Sequence, residues 1–263
     1  MTVLGDGLAA LLGVIVALLA PLAIRVVDGI DRQGQRARLV RLARAAAAPA
    51  GLAAAGALWL PAGTAAALLT VPYLLVAGLL GLHGAGALAL RRGQGADLAM
   101  AAGLVLWPGG ALWLLAHRAG FPLLGYPPVW VGLTAAHFHV AGAFLPLIVG
   151  RAAIDRGRAA RVVALAIALG VPLTAAGIAG PRWLETATAV AMTCAGLGGA
   201  AVLLTTPRPS ARLAGATLCA SMVLAGLYAV RGAAPAFRLG DWDPLASMLI
   251  VHGSLNVVGV GLV

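Results

Sequence analysis

Residues 7–24, GLAALLGVIVALLAPLAI, run for eighteen positions without a charge. As a helix that stretch is about 27 Å long, close to the ~30 Å hydrocarbon core of a bilayer. Comparable runs recur to the end of the chain, each closed by a short polar loop. Such repetition leaves little choice of fold. The runs are continuous in Ala, Leu, Val and Gly and do not alternate, so they are helices and not barrel strands. Composition agrees: 62% of the 263 residues are hydrophobic, 10% are charged, and the mean hydropathy is +0.99. A soluble domain has no use for so apolar a surface. The fold class is all-α: a polytopic integral membrane helix bundle, with residues 1–263 as one transmembrane domain.

Charged loops divide the chain into about nine spans. The first is 7–24, followed by a basic loop. A short second span, 45–60, ends at Pro61. The third runs from 62 to 90 and stops at Arg91 and Arg92. The remaining spans are 97–117, 129–150, 162–180, 186–205, 213–230 and 244–263. Prolines 72, 108, 146 and 172 fall inside spans, where a membrane helix tolerates them and kinks.

The eighteen basic residues are all arginine, and the net charge is +10. They sit in short loops between spans, which argues for topology and against nucleic acid. With the N-terminus outside, fourteen arginines fall on the inner side and four on the outer. Positive charge concentrates on the cytoplasmic side, so the chain is expected N-out and C-in. Removing the second span would reverse every later loop. Asp6 precedes the first span and the basic cluster follows it, which favours an uncleaved anchor over a signal peptide. The expected location is the inner membrane of a bacterium, with the lipid bilayer as partner. Cys194 and Cys219 lie within apolar runs and read as small core residues.

Ionisable groups cost free energy at membrane depth, so those that occur there are candidates for function. His137 lies eight residues into the fifth span and His252 eight into the ninth. Both spans start outside, so the two rings share a depth. Asn256, the one asparagine in the chain, follows His252 by four residues on the same helical face. His139 stands about 200° from His137 around a helix, so the two cannot serve one face or bind one metal together. At the outer rim lie Glu185, the one glutamate, and Asp241 in "GDWDPL". Tyr126, Trp130 and Trp183 occupy the same side. Phe138 and Trp107 are further aromatic candidates. His83 and Trp107 rank lower as site residues. Interface aromatics are also ordinary anchors, and buried polar groups also hold helices together.

The segments "HFHVAGAFLPL" and "HGSLN" resemble the YndJ-like family of bacterial membrane proteins. The resemblance rests on His137, Phe138, His139, Gly142, Leu145 and Pro146, then His252, Gly253 and Asn256. It implies a polytopic membrane protein and no particular activity. The arginine-rich, lysine-free composition resembles that of actinomycetes, in which small polytopic proteins act as membrane terpene cyclases in secondary metabolism.

Four functions fit these residues. The leading one is an intramembrane enzyme on a lipophilic isoprenoid-type substrate, a terpene cyclase started by acid. Such chemistry needs a proton donor, a dry cavity and aromatic rings beside carbocations. Glu185 or Asp241 is the expected acid, and a buried carboxyl keeps its proton more readily than an exposed one. His137, His139, His252 and Asn256 orient the acid or take the last proton. Trp130, Phe138, Trp183, Tyr126 and Trp107 bind the substrate. The chain has no DDxxD motif, so ionisation of a diphosphate is not expected, and no metal or cofactor is assigned. The alternatives are a proton-coupled transporter, a haem or quinone protein ligated through His137 or His139 and His252, and a structural subunit. No C-x-x-C-H motif is present to attach haem.

Overall fold

The computed structural model describes residues 3–27, 35–89, 95–233 and 248–263. Nine helices are present among them, in the order expected. We number them α1 (residues 3–27), α2 (Gln35–Ala57), α3 (Thr64–Ala89), α4 (Gly95–Ala119), α5 (Pro128–Ala153), α6 (Arg158–Ile178), α7 (Arg182–Leu204), α8 (Pro209–Ala233) and α9, described over residues 248–261. Seven of them are long and apolar enough to cross a membrane: α1 and α3 to α8. The chain is therefore a multi-pass membrane protein.

The exceptions have separate causes. Helix α2 starts about ten residues before the expected second span, so Arg36, Arg38, Arg41 and Arg44 are helical. Arginine is a good helix former, and Val40, Ala43 and Ala47 bury one face while Arg38, Arg41 and Arg44 point outward. Charge marks where a helix leaves hydrocarbon, and that is not where it ends. Helix α9 is described only from Met248, which places Asp241 and the start of the expected ninth span outside the described residues.

Two apolar cores share α4 and α5. One joins α1 to α5 around Leu12, Ile15, Trp107 and Phe144. The other joins α4 to α8 around Val149, Ile167 and Leu218. Helix α1 also packs on α5 and α9, and α9 packs on α8. The helices α5 to α9 thus line a space, with α1 at its side.

Helices α1 and α5 each contain a π turn, at Ile15–Leu19 and Phe138–Phe144. Both precede a proline at the same spacing. Proline has no N–H to donate, and its ring clashes with the carbonyl four residues back. Pro21 and Pro146 each stand two residues beyond a π turn. The residue before each proline reaches five residues back: Ala20 N–H to Ile15 O, and Leu145 N–H to Val140 O. A third π turn, Met248–Gly253 in α9, contains His252 and has no proline after it.

The turn in α1 lies against α2. A Cβ on Gly51 would collide with the Val16 carbonyl oxygen and lie 3.3 Å from the Ala17 Cα. Backbone cannot yield there as a side-chain tip can. Gly51→Leu is expected to lower the midpoint of thermal unfolding in detergent by several degrees, from about 2 kcal/mol of overpacking or more. Gly78→Ala, whose Cβ meets nothing within 4 Å, is the control and leaves the midpoint within about a degree.

The end of α4 is fixed by polar contacts. Arg118, 7% exposed, donates from its guanidinium to the Leu60 carbonyl, and Gly63 N–H donates to the Arg118 carbonyl at 2.8 Å. The Nδ1–H of His117 donates to the Pro128 carbonyl at 3.0 Å. These bonds tie the α2–α3 and α4–α5 connections to the end of α4. Cys194, expected in a core, is exposed on α7 while Cys219 is half-buried. A thiol is apolar enough to face hydrocarbon, so burial in protein is not required of it.

Candidate functional site

The π turn of α5 separates the two histidines of "HFH". His139 turns toward α3 and α4 and is fully buried. Its Nδ1–H donates to the Ala135 carbonyl at 2.7 Å, which leaves a lone pair on Nε2. The ring packs beside Tyr73, with centroids 5.5 Å apart, and beside Phe144 at 6.2 Å. It fits because residue 110 is glycine: a Cβ there would stand 2.7 Å from His139 Nδ1. Trp107 belongs to the same core. Its indole N–H donates to the Tyr73 hydroxyl at 3.0 Å, and its ring meets Phe144 edge-on at 4.9 Å. Neither His139 nor Trp107 lines the space between α5 and α9. Trp107→Phe is expected to cost about 1 kcal/mol through the lost indole hydrogen bond, read as a lower unfolding midpoint.

His137 faces the opposite way, into an open cavity of about 970 Å³ lined by α5 to α9 and by Leu11 of α1. The ring is exposed to that cavity. His252 and Asn256 of α9 line it too, and His137 and His252 lie within electrostatic range of each other. The shared depth read from the sequence is thus a shared cavity, and the helices that carry the two rings are in contact.

His252 is held more firmly than its neighbours in sequence suggest. Its Nδ1 lies 2.9 Å from the Ser221 carbonyl oxygen and 2.8 Å from the Ser221 hydroxyl oxygen, on α8. A carbonyl only accepts, so Nδ1 carries the proton and Nε2 the lone pair. Asn256 donates its side-chain N–H to that Nε2 at 3.1 Å. The Ser221 hydroxyl donates in turn to the His252 carbonyl at 3.3 Å, a carbonyl within the π turn. Ser221 is fully buried. Sequence reading missed it because a lone serine in "LCASMVL" has no spacing to a partner; the contact joins residues 31 apart. Because Nε2 already accepts from Asn256, ligation of haem iron by His252 requires Asn256 to leave.

Glu185 lines the mouth of the same cavity in the first turn of α7, together with Arg182. It is exposed, not buried as an acid in this chemistry was expected to be. The cause is its place in the first turn, at the end of the bundle. Among the described lining residues Arg182 and Glu185 are the charged pair. Trp130, Phe138 and Tyr228 supply aromatic surface to the wall. Two expected substrate contacts lie elsewhere. Trp183 is 70% exposed on the outer face of α7. Tyr126 stands in the α4–α5 connection, 6.3 Å from Trp113 between ring centroids. His83 is buried in α3, away from this space. No group of three or more metal-ligating side chains occurs among the described residues.

The cavity has two halves. Toward the Glu185 end its wall carries Thr134, Thr174, Thr186, Tyr228 and the two histidines. Toward the other end it carries Leu145, Ile148, Leu203, Ala214, Leu218 and Val260. Such a space inside a helix bundle takes a molecule that is polar at one end and hydrocarbon at the other.

Fold and cavity together define a polytopic helical membrane protein with a histidine-lined chamber at membrane depth. The chain belongs to the YndJ-like protein family, whose model matches residues 9–260 and so spans both histidine motifs. No curated protein and no solved structure matches it.

Proposed function

We propose that this protein is an intramembrane enzyme that acts on a lipophilic, isoprenoid-type substrate by acid–base chemistry, most specifically a terpene cyclase started by protonation. The observation that carries the reading is the convergence of Glu185, His137, His252 and Asn256 on one cavity, above an apolar half that no water-soluble substrate needs. Glu185 is the proton donor. With substrate filling the mouth, water is excluded from around the carboxyl and the donor faces an alkene or epoxide. Its proton adds to the terminal alkene carbon or to the epoxide oxygen. Alkene π electrons along the chain then form the ring bonds, and the positive charge moves with each one. Trp130 and Phe138 in the wall stabilise it through their rings. A neighbouring C–H proton leaves to a histidine lone pair, closing an alkene. His252 takes this proton on Nε2 once the Asn256 amide swings off that lone pair, while the Nδ1–H bond to the Ser221 carbonyl holds the ring. The proton taken up replaces the one Glu185 gave, so product and alkene substrate are isomers.

The test is conversion. Membranes that contain the chain are incubated with linear polyprenyl alkenes and epoxides, and cyclic isomers are sought by mass spectrometry. Conversion that Glu185→Gln abolishes supports the assignment, and wild-type rates in both Glu185→Gln and Asp241→Asn would overturn it.

One observation favours a second reading, a proton-coupled transporter. The lining extends along nearly the whole of α7, from Arg182 to Leu203. That reading requires uptake of an unchanged compound into proteoliposomes, driven by a pH gradient.

A further inference from the structure

The apolar half of the cavity has a length, which bears on what the cavity holds. From His137 to Ile148 along α5 is about 16 Å at 1.5 Å per residue. Beyond His252 and Asn256 the described lining is hydrocarbon and glycine. At the far end Ala214 of α8 faces α9, where a Cβ on Gly259 would stand 2.6 Å from the Thr217 hydroxyl. The glycine lets α9 close onto α8 there, and Ala214 keeps the wall beside it short. The polar half has hydroxyls, imidazoles and an amide, with Arg182 as the one arginine among its described residues.

We propose that the cavity holds a single-chain amphiphile: an uncharged hydrogen-bonding group beside His137, His252 and Asn256, and a chain of about a dozen carbons reaching toward Ile148 and Ala214. Ala214 is then the gauge of chain length. A hydroxyl or an epoxide suits the polar end. A dianionic phosphate does not, since an unpaired charge at membrane depth costs several kcal/mol. This inference rests on the same cavity as the proposed enzyme and names the substrate class for it. It requires binding and not turnover, so the two can fail separately.

The experiment uses the full chain in lipid nanodiscs. Two series of primary alcohols, straight-chain and linear prenyl, carry a diazirine at the tail and vary in length. After irradiation the labelled peptides are located by mass spectrometry. Probes of about a dozen carbons are expected to label the segments around Ile148, Ala214 and Val260, and whichever series labels more strongly identifies an acyl or a prenyl chain. An alkyl phosphate of equal length is expected to label at least about ten-fold less. Ala214→Leu shortens the longest chain that labels by roughly two to four carbons, and Leu218→Ala lengthens it; the second variant stands if the first does not fold. Labelling spread over outward-facing leucines such as Leu68 and Leu169, equal labelling by the phosphate, or an unchanged length limit in both variants would overturn the proposal. Labelling as expected without any conversion of substrate would sink the enzyme and leave this inference standing.

Discussion

Glu185→Gln is expected to lower the rate of substrate conversion by about 100- to 10,000-fold, the usual contribution of a positioned general acid. Glutamine has the same shape and can donate a hydrogen bond, but it has no proton to give. The side chain is exposed in the first turn of α7, so the substitution breaks no core contact. Substrate binding and the unfolding midpoint therefore stay close to wild type, and the loss falls on turnover. Glu185→Asp keeps the acid and withdraws it by about one methylene. It is expected to recover part of the rate. A structural role for Glu185 would instead lower the midpoint and leave the rate per folded molecule unchanged.

His252→Ala is the second large effect, and it combines two losses. The variant removes the Nε2 lone pair that takes the final proton, again worth about 100- to 10,000-fold. It also strands the Asn256 amide and the Ser221 carbonyl, which costs about 1–3 kcal/mol of stability. Asn256→Ala separates them. It removes the donor to Nε2 while the Ser221 carbonyl still holds Nδ1–H. A change of rate within about ten-fold is expected there, since the base is kept with its lone pair freed and the Ser221 carbonyl still orients the ring. Stability and rate are read on the same preparations, by thermal unfolding and by product formation.

Much of this was legible in the sequence because hydrocarbon is an exacting solvent. Charge-free runs and arginine loops gave nine helices in the right order, since a charge cannot be hidden inside a span without a partner. The common depth of His137 and His252 followed from counting residues at a fixed rise. The divergence of His137 and His139 followed from the helical angle, and the structure adds that His137 faces α9 while His139 faces Tyr73. What stayed hidden was of another kind. Two of the π turns stand before prolines 21 and 146, yet Pro49, Pro72, Pro108 and Pro172 lie inside plain α-helices, so a proline does not announce that a helix will widen. Ser221 binds His252 across 31 residues, a pairing set by how α8 meets α9. The arginines of α2 lie on a helix because propensity does not stop at the membrane surface. The exposure of Glu185 depends on how far α7 extends toward its N-terminus, where the expected span began four residues too late.

The two motifs acquire different roles in this light. In "HFH", His139 belongs to the aromatic core of α3, α4 and α5, and its removal is a question of packing. His137 belongs to the chamber. In "HGSLN", His252 and Asn256 form one hydrogen-bonded unit anchored on α8.

The most direct test is the fate of solvent hydrogen. Membranes containing the chain are incubated in D2O with a linear polyprenyl alkene, and the product is analysed by mass spectrometry. Acid-initiated cyclisation predicts a cyclic isomer one mass unit heavier, with a single deuterium at the protonated carbon, absent in Glu185→Gln. Recovery of the alkene unchanged, with or without proton-driven uptake, would contradict the account.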